Sequence, residues 1–266
     1  MTITELLHPK KREITSGTKE WADYNVNCCK GCSNDCRYCY AKIIAKRFHR
    51  CNEDTWKKML VNVNSVARNY GKYKGRVMFP STHDITEEPE VLTSCTTVID
   101  KLLASGNELL ITTKPKLSVI EEITKKFSSF KAQIQFRFTI TSCDNRLLSF
   151  WEPNAPSYEE RFESLKYSYE NGFKTSVSIE PFLDESPQNL IDPLSKYTSE
   201  SIWVGPMNYI PRNGIKDNEI INYIDIRLKY EYSNLIKIYE DLRNFDKIRF
   251  KDSFITRISH TRELET

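Results

Sequence analysis

The chain has 266 residues with 39 Lys and Arg against 36 Asp and Glu, a formal net charge of +3 that argues against an obligate phosphate-coating protein. Apolar residues at 39% and aromatics at 12% suffice for a core and exclude wholesale disorder. No uninterrupted apolar run exceeds four residues (38–41), against roughly 20 needed to span a bilayer. The first twenty residues carry Lys10, Lys11 and Arg12 without an apolar block, so they read as no secretory signal, and the expectation is a soluble cytoplasmic protein.

In chain order, a short first strand is expected at 24–27, directly before a dense group of cysteines. Five of the eight cysteines fall within residues 28–39. Thiols clustered in this way point to a metal site in a reducing compartment rather than to disulfide staples. A helix should begin near Tyr40. Apolar or β-branched runs then recur at 76–80, 109–113, 134–141, 174–181 and 201–205. Helix-length stretches separate them at 91–104, 118–127, 157–171 and 188–196, with Asn171-Gly172 as a C-terminal stop. Strand and helix in regular succession predict parallel strands joined by right-handed crossovers. Six β/α units form either an open doubly wound sheet or a partial barrel. The remainder reads as charged helices at 219–229 and 232–244, packed outside as a cap.

Strand parity bears on that choice. Along 135–141, Gln135, Arg137, Thr139 and Thr141 share one face, and Phe136, Phe138 and Ile140 the other. Along 174–181, Ser176, Ser178 and Glu180 oppose Thr175, Val177 and Ile179. Strands buried in a doubly wound sheet read apolar on both faces, so polar faces predict a ligand-holding lumen closed by helices. Edge strands facing solvent would give the same pattern.

Cys32, Cys36 and Cys39 are spaced C-x3-C-x2-C on the loop between the first strand and its helix. Three thiolates on one loop can hold three corners of a cubane cluster and leave the fourth iron open, as a reactive site requires. A zinc knot completed by Cys28 or Cys29 has the same spacing.

Cys32-x3-Cys36-x-Tyr38-Cys39 resembles the signature of the radical S-adenosylmethionine (SAM) superfamily. The surrounding Gly31-Cys32 to Cys39-Tyr40-Ala41 is similar to the spore photoproduct lyase-like branch. So are Thr112-Thr113-Lys114, Glu152-Pro153-Asn154-Ala155-Pro156 with Arg161, and Glu180-Pro181, in order and spacing. The resemblance divides the chain into an N-terminal arm (1–23), a radical SAM core (24–208) and a C-terminal helical extension (209–266). It implies an α/β fold, a partial (β/α)6 TIM-like barrel. It also implies a [4Fe–4S] cluster on Cys32, Cys36 and Cys39, with SAM chelating the open iron. An electron from a reducing partner would then cleave SAM to a 5′-deoxyadenosyl radical that abstracts hydrogen from the substrate.

The same resemblance suggests SAM contacts for Tyr38, for Ser81 and Thr82 near the methionine moiety, for Lys114 at the SAM carboxylate or ribose, and for Thr139 and Thr141 at the ribose. Glu180 would touch ribose or substrate, or pair with a lysine. Ser81 and Thr82 read equally as a capping cluster. Glu152 and Arg161 are expected to form an ion pair supporting the rim. The spore enzyme's hydrogen-donating thiol has no counterpart at 78–81, a departure that weighs against dimer reversal by that route. Cys143, continuing the parity of Thr139 and Thr141, is the candidate rim thiol, although a lone cysteine is more often a small buried hydrophobe. Cys95 reads as core, and Cys28 and Cys29 either pack under the loop or ligate something extra. Lys42, Lys46 and Arg50 form a basic stripe that would suit phosphate backbone or simply solvent. The substrate suggested is a nucleic-acid base or lesion. Modification of a peptide, protein or small molecule is a second reading, and a zinc-stabilised, non-catalytic nucleic-acid-binding module a third.

Overall fold

A computed structural model describes residues 17–260. Most of the expected N-terminal arm, 1–16, and the last six residues lie outside that range. After a 3-10 turn at Gly17–Glu20 come β1 (Tyr24–Asn25), β2 (Cys29–Lys30), α1 (Tyr40–Arg47), α2 (Glu53–Trp56), β3 (Leu60–Val61) and α3 (Val63–Ala67). The regular β/α succession follows: β4 (Val77–Phe79), α4 (Pro89–Ala104), β5 (Leu109–Thr113), α5 (Leu117–Lys126) and β6 (Ile134–Thr139). It continues through α6 (Asn145–Trp151), α7 (Tyr158–Glu170), β7 (Lys174–Ile179), α8 (Gln188–Ser195) and β8 (Ile202–Val204). The chain ends in α9 (Ile220–Lys229), α10 (Tyr232–Leu242), β9 (Ile248–Phe250) and α11 (Asp252–His260).

Seven strands pair in the order β1-β4-β5-β6-β7-β8-β9, every neighbouring pair parallel. This is a partial TIM-like barrel. β2 and β3 form a separate antiparallel ribbon that carries the cysteine loop. The expected helical extension also contributes β9, which pairs with β8 from Ile202↔Ile248 to Val204↔Phe250. Three residues, Ile-Arg-Phe, between charged neighbours carry too little pattern to announce a strand.

The helices follow local chemistry. Ser157 caps α7 by accepting from Glu160 N–H, and Asp144 caps α6 through Arg146 N–H. Gly172, at φ +77°, ends α7 in the left-handed conformation that glycine takes freely. The apolar strand face packs under the helices: Phe136, Phe138, Ile140, Val177 and Ile179 are all fully buried. Each such side chain contributes about 1.5–3 kcal/mol by leaving water. β6 and β7 are interior strands, so their polar faces look into the barrel and not to solvent. There Gln135, Arg137, Ser176 and Ser178 are buried, with Arg137 Nε donating to Ser176 Oγ at 3.1 Å. The Arg137 guanidinium lies 4.6 Å from the Trp21 ring and 5.4 Å from the Trp203 ring, closing one end of the lumen. Among the described residues, no helix is long and apolar enough to cross a membrane.

Candidate active site

The cysteine loop is fixed from both sides. Gly31 adopts φ +87°, and a Cβ there would sit 2.4 Å from the Trp56 carbonyl oxygen and 2.5 Å from that of Lys58. Only glycine fits this approach. Cys32 N–H donates to the Trp56 carbonyl at 2.9 Å, and Arg37 N–H to that of Trp151 at 2.9 Å. Asn154 Nδ2 holds the Ser33 carbonyl at 2.9 Å. Asn34 Nδ2 donates to Asp84 Oδ2 at 2.7 Å, tying the loop to the segment after β4.

Parallel β/α folds collect ligands at the C-terminal ends of their strands, and a cavity of about 880 Å³ lies there. Its wall brings together Cys32, Cys36 and Cys39 with Tyr38, Ser81, Thr82, Lys114, Thr139 and Glu180. Thr141 and Cys143 lie outside that wall. Strand β6 ends at Thr139, so its parity does not extend to them. Thr141 is fully buried and donates to Glu152 Oε1 at 2.7 Å, whereas exposed Cys143 has its thiol 3.6 Å from Asp184 Oδ2.

Two residues that tie the cavity wall together escape a sequence reading. Asn27 Oδ1 accepts from the backbone N–H groups of Ser81 (2.7 Å) and Thr82 (2.9 Å), while its amide donates to Ser81 Oγ at 2.9 Å. Asp84 accepts from Asn34, from Lys114 N–H (3.0 Å), from Ile85 N–H (2.8 Å) and from the Thr113 hydroxyl. Both bridge residues far apart in the chain and leave no local pattern.

Behind Tyr38 and Lys114 sits Glu152, only 1% exposed. It pairs with fully buried Arg161 at 2.5 Å, accepts from the Tyr38 and Thr141 hydroxyls, and lies 3.9 Å from Lys114 Nζ. Burial works against its charge, but Arg161 and then Lys114 outweigh it and hold the carboxyl below the usual carboxylate range. Burial likewise opposes the charge on Lys114, yet Cys36 and Glu152 prevail and raise it above the ordinary lysine value. Lys114 is therefore a fixed cation over the Tyr38 ring, 5.6 Å from its centroid. The pair expected at the rim is thus the hub that positions Tyr38 and Lys114.

On the opposite wall, Glu180 lies 3.8 Å from Lys251 Nζ and accepts from Asn208 Nδ2 at 3.3 Å. Lys251, just after β9, also pairs with Glu20 at 2.7 Å and stands 4.2 Å from the Trp21 ring. Gly205 makes room for this contact, since a Cβ there would press to 2.8 Å on Lys251 Cγ and 3.0 Å on Glu180 Cγ. Both chain ends of the described structure therefore contribute to the cavity.

The donor set fits an iron–sulfur cluster. Burial pushes the Cys32, Cys36 and Cys39 thiols up, Cys36 to about 12, and the Asp84 carboxylate raises Cys32 further. Thiolates so placed call for a cationic partner. Their sulfurs do not converge within the 4.8 Å expected of ligands to a single ion. One iron apiece in a polynuclear cluster suits that spread. Cys28 and Cys29 belong elsewhere, grouped with His83.

The basic stripe is partly spent. Lys42 pairs with Asp35 at 2.8 Å and Glu53 at 2.7 Å, and Lys46 also pairs with Glu53.

A family model described as the Radical SAM superfamily matches residues 26–192. An uncharacterized protein of Methanocaldococcus jannaschii is 31% identical over 183 residues, 68% of this chain and 69% of that protein. An uncharacterized protein of Acidianus two-tailed virus is 27% identical over 181 residues, 64% of this chain and 57% of that protein. A mutant of spore photoproduct lyase superposes with TM-score 0.53 at 17% identity, covering 87% of this chain and 76% of that one. The same lyase complexed with a dinucleoside spore photoproduct gives 0.53 at 16% identity, with the same coverage. At that identity the likeness is one of fold.

Proposed function

We infer the reaction from one premise: this chain belongs to the radical SAM superfamily, and it is an enzyme of that superfamily. We propose that Cys32, Cys36 and Cys39 hold a [4Fe–4S] cluster, and that SAM lies along the strand ends over Ser81, Thr82, Lys114, Thr139 and Glu180. The observation that carries this reading is the convergence of these residues on one cavity wall. Together, cluster and SAM supply the chemistry: one electron from a reducing partner, reductive cleavage of the sulfonium, and hydrogen-atom abstraction from a substrate.

The chain's own residues bind and orient. Lys114, 3.9 Å from the ionised Glu152, offers a point charge to the SAM carboxylate. Asn27 holds the Ser81 and Thr82 amides and the Ser81 hydroxyl, which fixes this loop on the cavity wall. Trp21, on the cavity lining, packs against Trp203 and the buried Arg137 guanidinium. The reading of a non-catalytic zinc module gives way to the enzyme.

For the substrate we propose a nucleic-acid base or lesion. Tyr40 and Tyr209, 38% and 43% exposed, line the cavity, as does Lys19. Exposed aromatic faces in a cavity that also carries a cation suit a base stacked out of its helix. A reducing, cytoplasmic setting suits both the cluster and eight free thiols.

The test is anaerobic purification, reduction, and assay for methionine and 5′-deoxyadenosine with deuterated nucleosides, DNA, RNA and peptides. Deuterium from a nucleic-acid substrate appearing in 5′-deoxyadenosine is the expected result. Absence of iron or of SAM cleavage overturns the enzymatic reading. Deuterium transfer from peptides alone replaces the substrate class.

A further inference from the structure

Below the cysteine loop lies a group of thiol and imidazole side chains that the reaction does not use. Cys28, Cys29 and His83 are buried, and their ligand atoms all lie within 4.8 Å of one another. The Cys28 sulfur is 3.9 Å from that of Cys29 and 3.6 Å from that of Cys95. Cys28 and Cys95 are fully buried, Cys29 is 5% exposed and His83 8%. Tetrahedral zinc with Zn–S bonds of about 2.3 Å places its sulfurs about 3.8 Å apart. The Cys28–Cys29 and Cys28–Cys95 separations bracket that value, and Cys95, outside the group that already lies within 4.8 Å, has still to close on His83 as the ion enters.

His83 is set as metal-ligating histidines are. One ring nitrogen, Nδ1, lies 2.9 Å from the Asp84 carbonyl oxygen, to which it can donate. That leaves Nε2 as the lone-pair nitrogen, now accepting from Cys28 N–H at 3.1 Å, beside the sulfurs. A backbone carbonyl holding the distal N–H is the usual second partner of a ligating imidazole.

We propose that Cys28, Cys29, Cys95 and His83 form a closed site for one zinc ion, held tetrahedrally by three sulfurs and one nitrogen and distinct from the cluster site on Cys32, Cys36 and Cys39. Four protein ligands leave no open position, so the role is structural. Loading displaces three thiol protons to solvent and exchanges the Cys28 N–H contact of His83 for a bond to the metal. The ion ties together three segments: the start of the cysteine loop, the Ser81–Asp84 segment of the cavity wall, and α4. It sets the cluster loop against the wall that faces SAM.

The experiment measures zinc and iron on the full chain purified anaerobically with its cluster. One zinc per chain beyond the iron is expected, with a zinc-edge X-ray absorption spectrum of three sulfurs at about 2.3 Å and one nitrogen at about 2.0 Å. Cys95→Ser and His83→Ala should each lower zinc about tenfold or more, while Cys51→Ser keeps it. The triple variant Cys32→Ala/Cys36→Ala/Cys39→Ala should lose iron and keep zinc, which separates this site from the cofactor reading. A wild-type protein that takes up no zinc when zinc is supplied overturns the proposal without need of any variant. So does a zinc shell of other composition, zinc retained by Cys95→Ser and His83→Ala, zinc lost with the iron in the triple variant, or a Cys28–Cys95 disulfide in the anaerobic protein.

Discussion

Asp84 Oδ2 lies 2.7 Å from Asn34 Nδ2, joining the cysteine loop to the end of β4 across 50 residues of sequence. The same carboxylate takes Lys114 N–H on that oxygen and Ile85 N–H and the Thr113 hydroxyl on the other. An amide serves only one of those two sides. Asp84→Asn should therefore leave donors facing donors, at about 1–3 kcal/mol for each unsatisfied group. We expect a loss of about 2–4 kcal/mol in urea unfolding, together with lower iron content, because the loop loses its tether. Wild-type stability and iron in this variant would remove Asp84 from that role.

Single replacement of Cys32, Cys36 or Cys39 by Ala should abolish cluster assembly, because three thiolates are the minimum that holds the cubane. Cys28→Ala and Cys29→Ala should retain iron, since their sulfurs group with His83 and not with the other three. Iron and sulfide analysis after anaerobic reconstitution decides it; full iron in any of the first three variants sinks the ligand assignment.

Lys114→Ala should weaken SAM binding about ten- to a hundredfold, the effect of losing a charged hydrogen bond worth about 1.5–3 kcal/mol. The cluster should persist, and Glu152 still keeps Arg161 at 2.5 Å. Calorimetric titration with SAM measures this, and unchanged affinity removes Lys114 from the site.

Glu152 gives a pH prediction. Burial raises its proton affinity, but Arg161 and Lys114 more than offset this, so the folded carboxyl titrates below its unfolded value. The resulting stability is fully present above the unfolded value, near about 4.3, and is lost as pH falls through the folded one. Glu152→Gln should flatten that acid limb in iron-free protein. At neutral pH it should also cost about 3–5 kcal/mol by leaving buried Arg161 without its counter-charge. An unaltered limb would show that Glu152 is not the group titrating.

Some of this was legible in the chain and some was not, for reasons that lie in the residues. Alternation along 134–141 exposed the lumen because period-two parity is local, and Gln135 and Arg137 are indeed buried on the inner face. The same rule misleads beyond Thr139, where the strand stops and Thr141 turns to Glu152. The cysteine loop announces itself because its ligands sit on consecutive turns. Asn27 and Asp84 act across 54 and 50 residues and leave no local pattern. Lys251 is invisible for another reason: it reaches the cavity only because β9 joins the sheet.

The last prediction concerns the substrate. A phosphate backbone approaching the site would meet two sets of cations. Lys42, with 14% of its side chain exposed, and Lys46 already share Glu53, so replacing them removes charge that is internally balanced. Lys19 lies exposed on the cavity lining, which also carries Tyr209. Each phosphate contact contributes about 0.7–0.9 to the slope of log affinity against log salt. For a nucleic-acid ligand, Lys19→Gln should therefore flatten that slope by about one unit, and Lys42→Gln/Lys46→Gln by much less. Tyr209→Ala should weaken binding about five- to a hundredfold if a base stacks there, at about 1–3 kcal/mol per base. None of these changes should alter SAM cleavage in the absence of substrate. Titrations of single- and double-stranded DNA and RNA at several salt concentrations read all three effects. Equal slopes in wild type and Lys19→Gln, or no binding at all, would move the assignment to a peptide or small-molecule substrate.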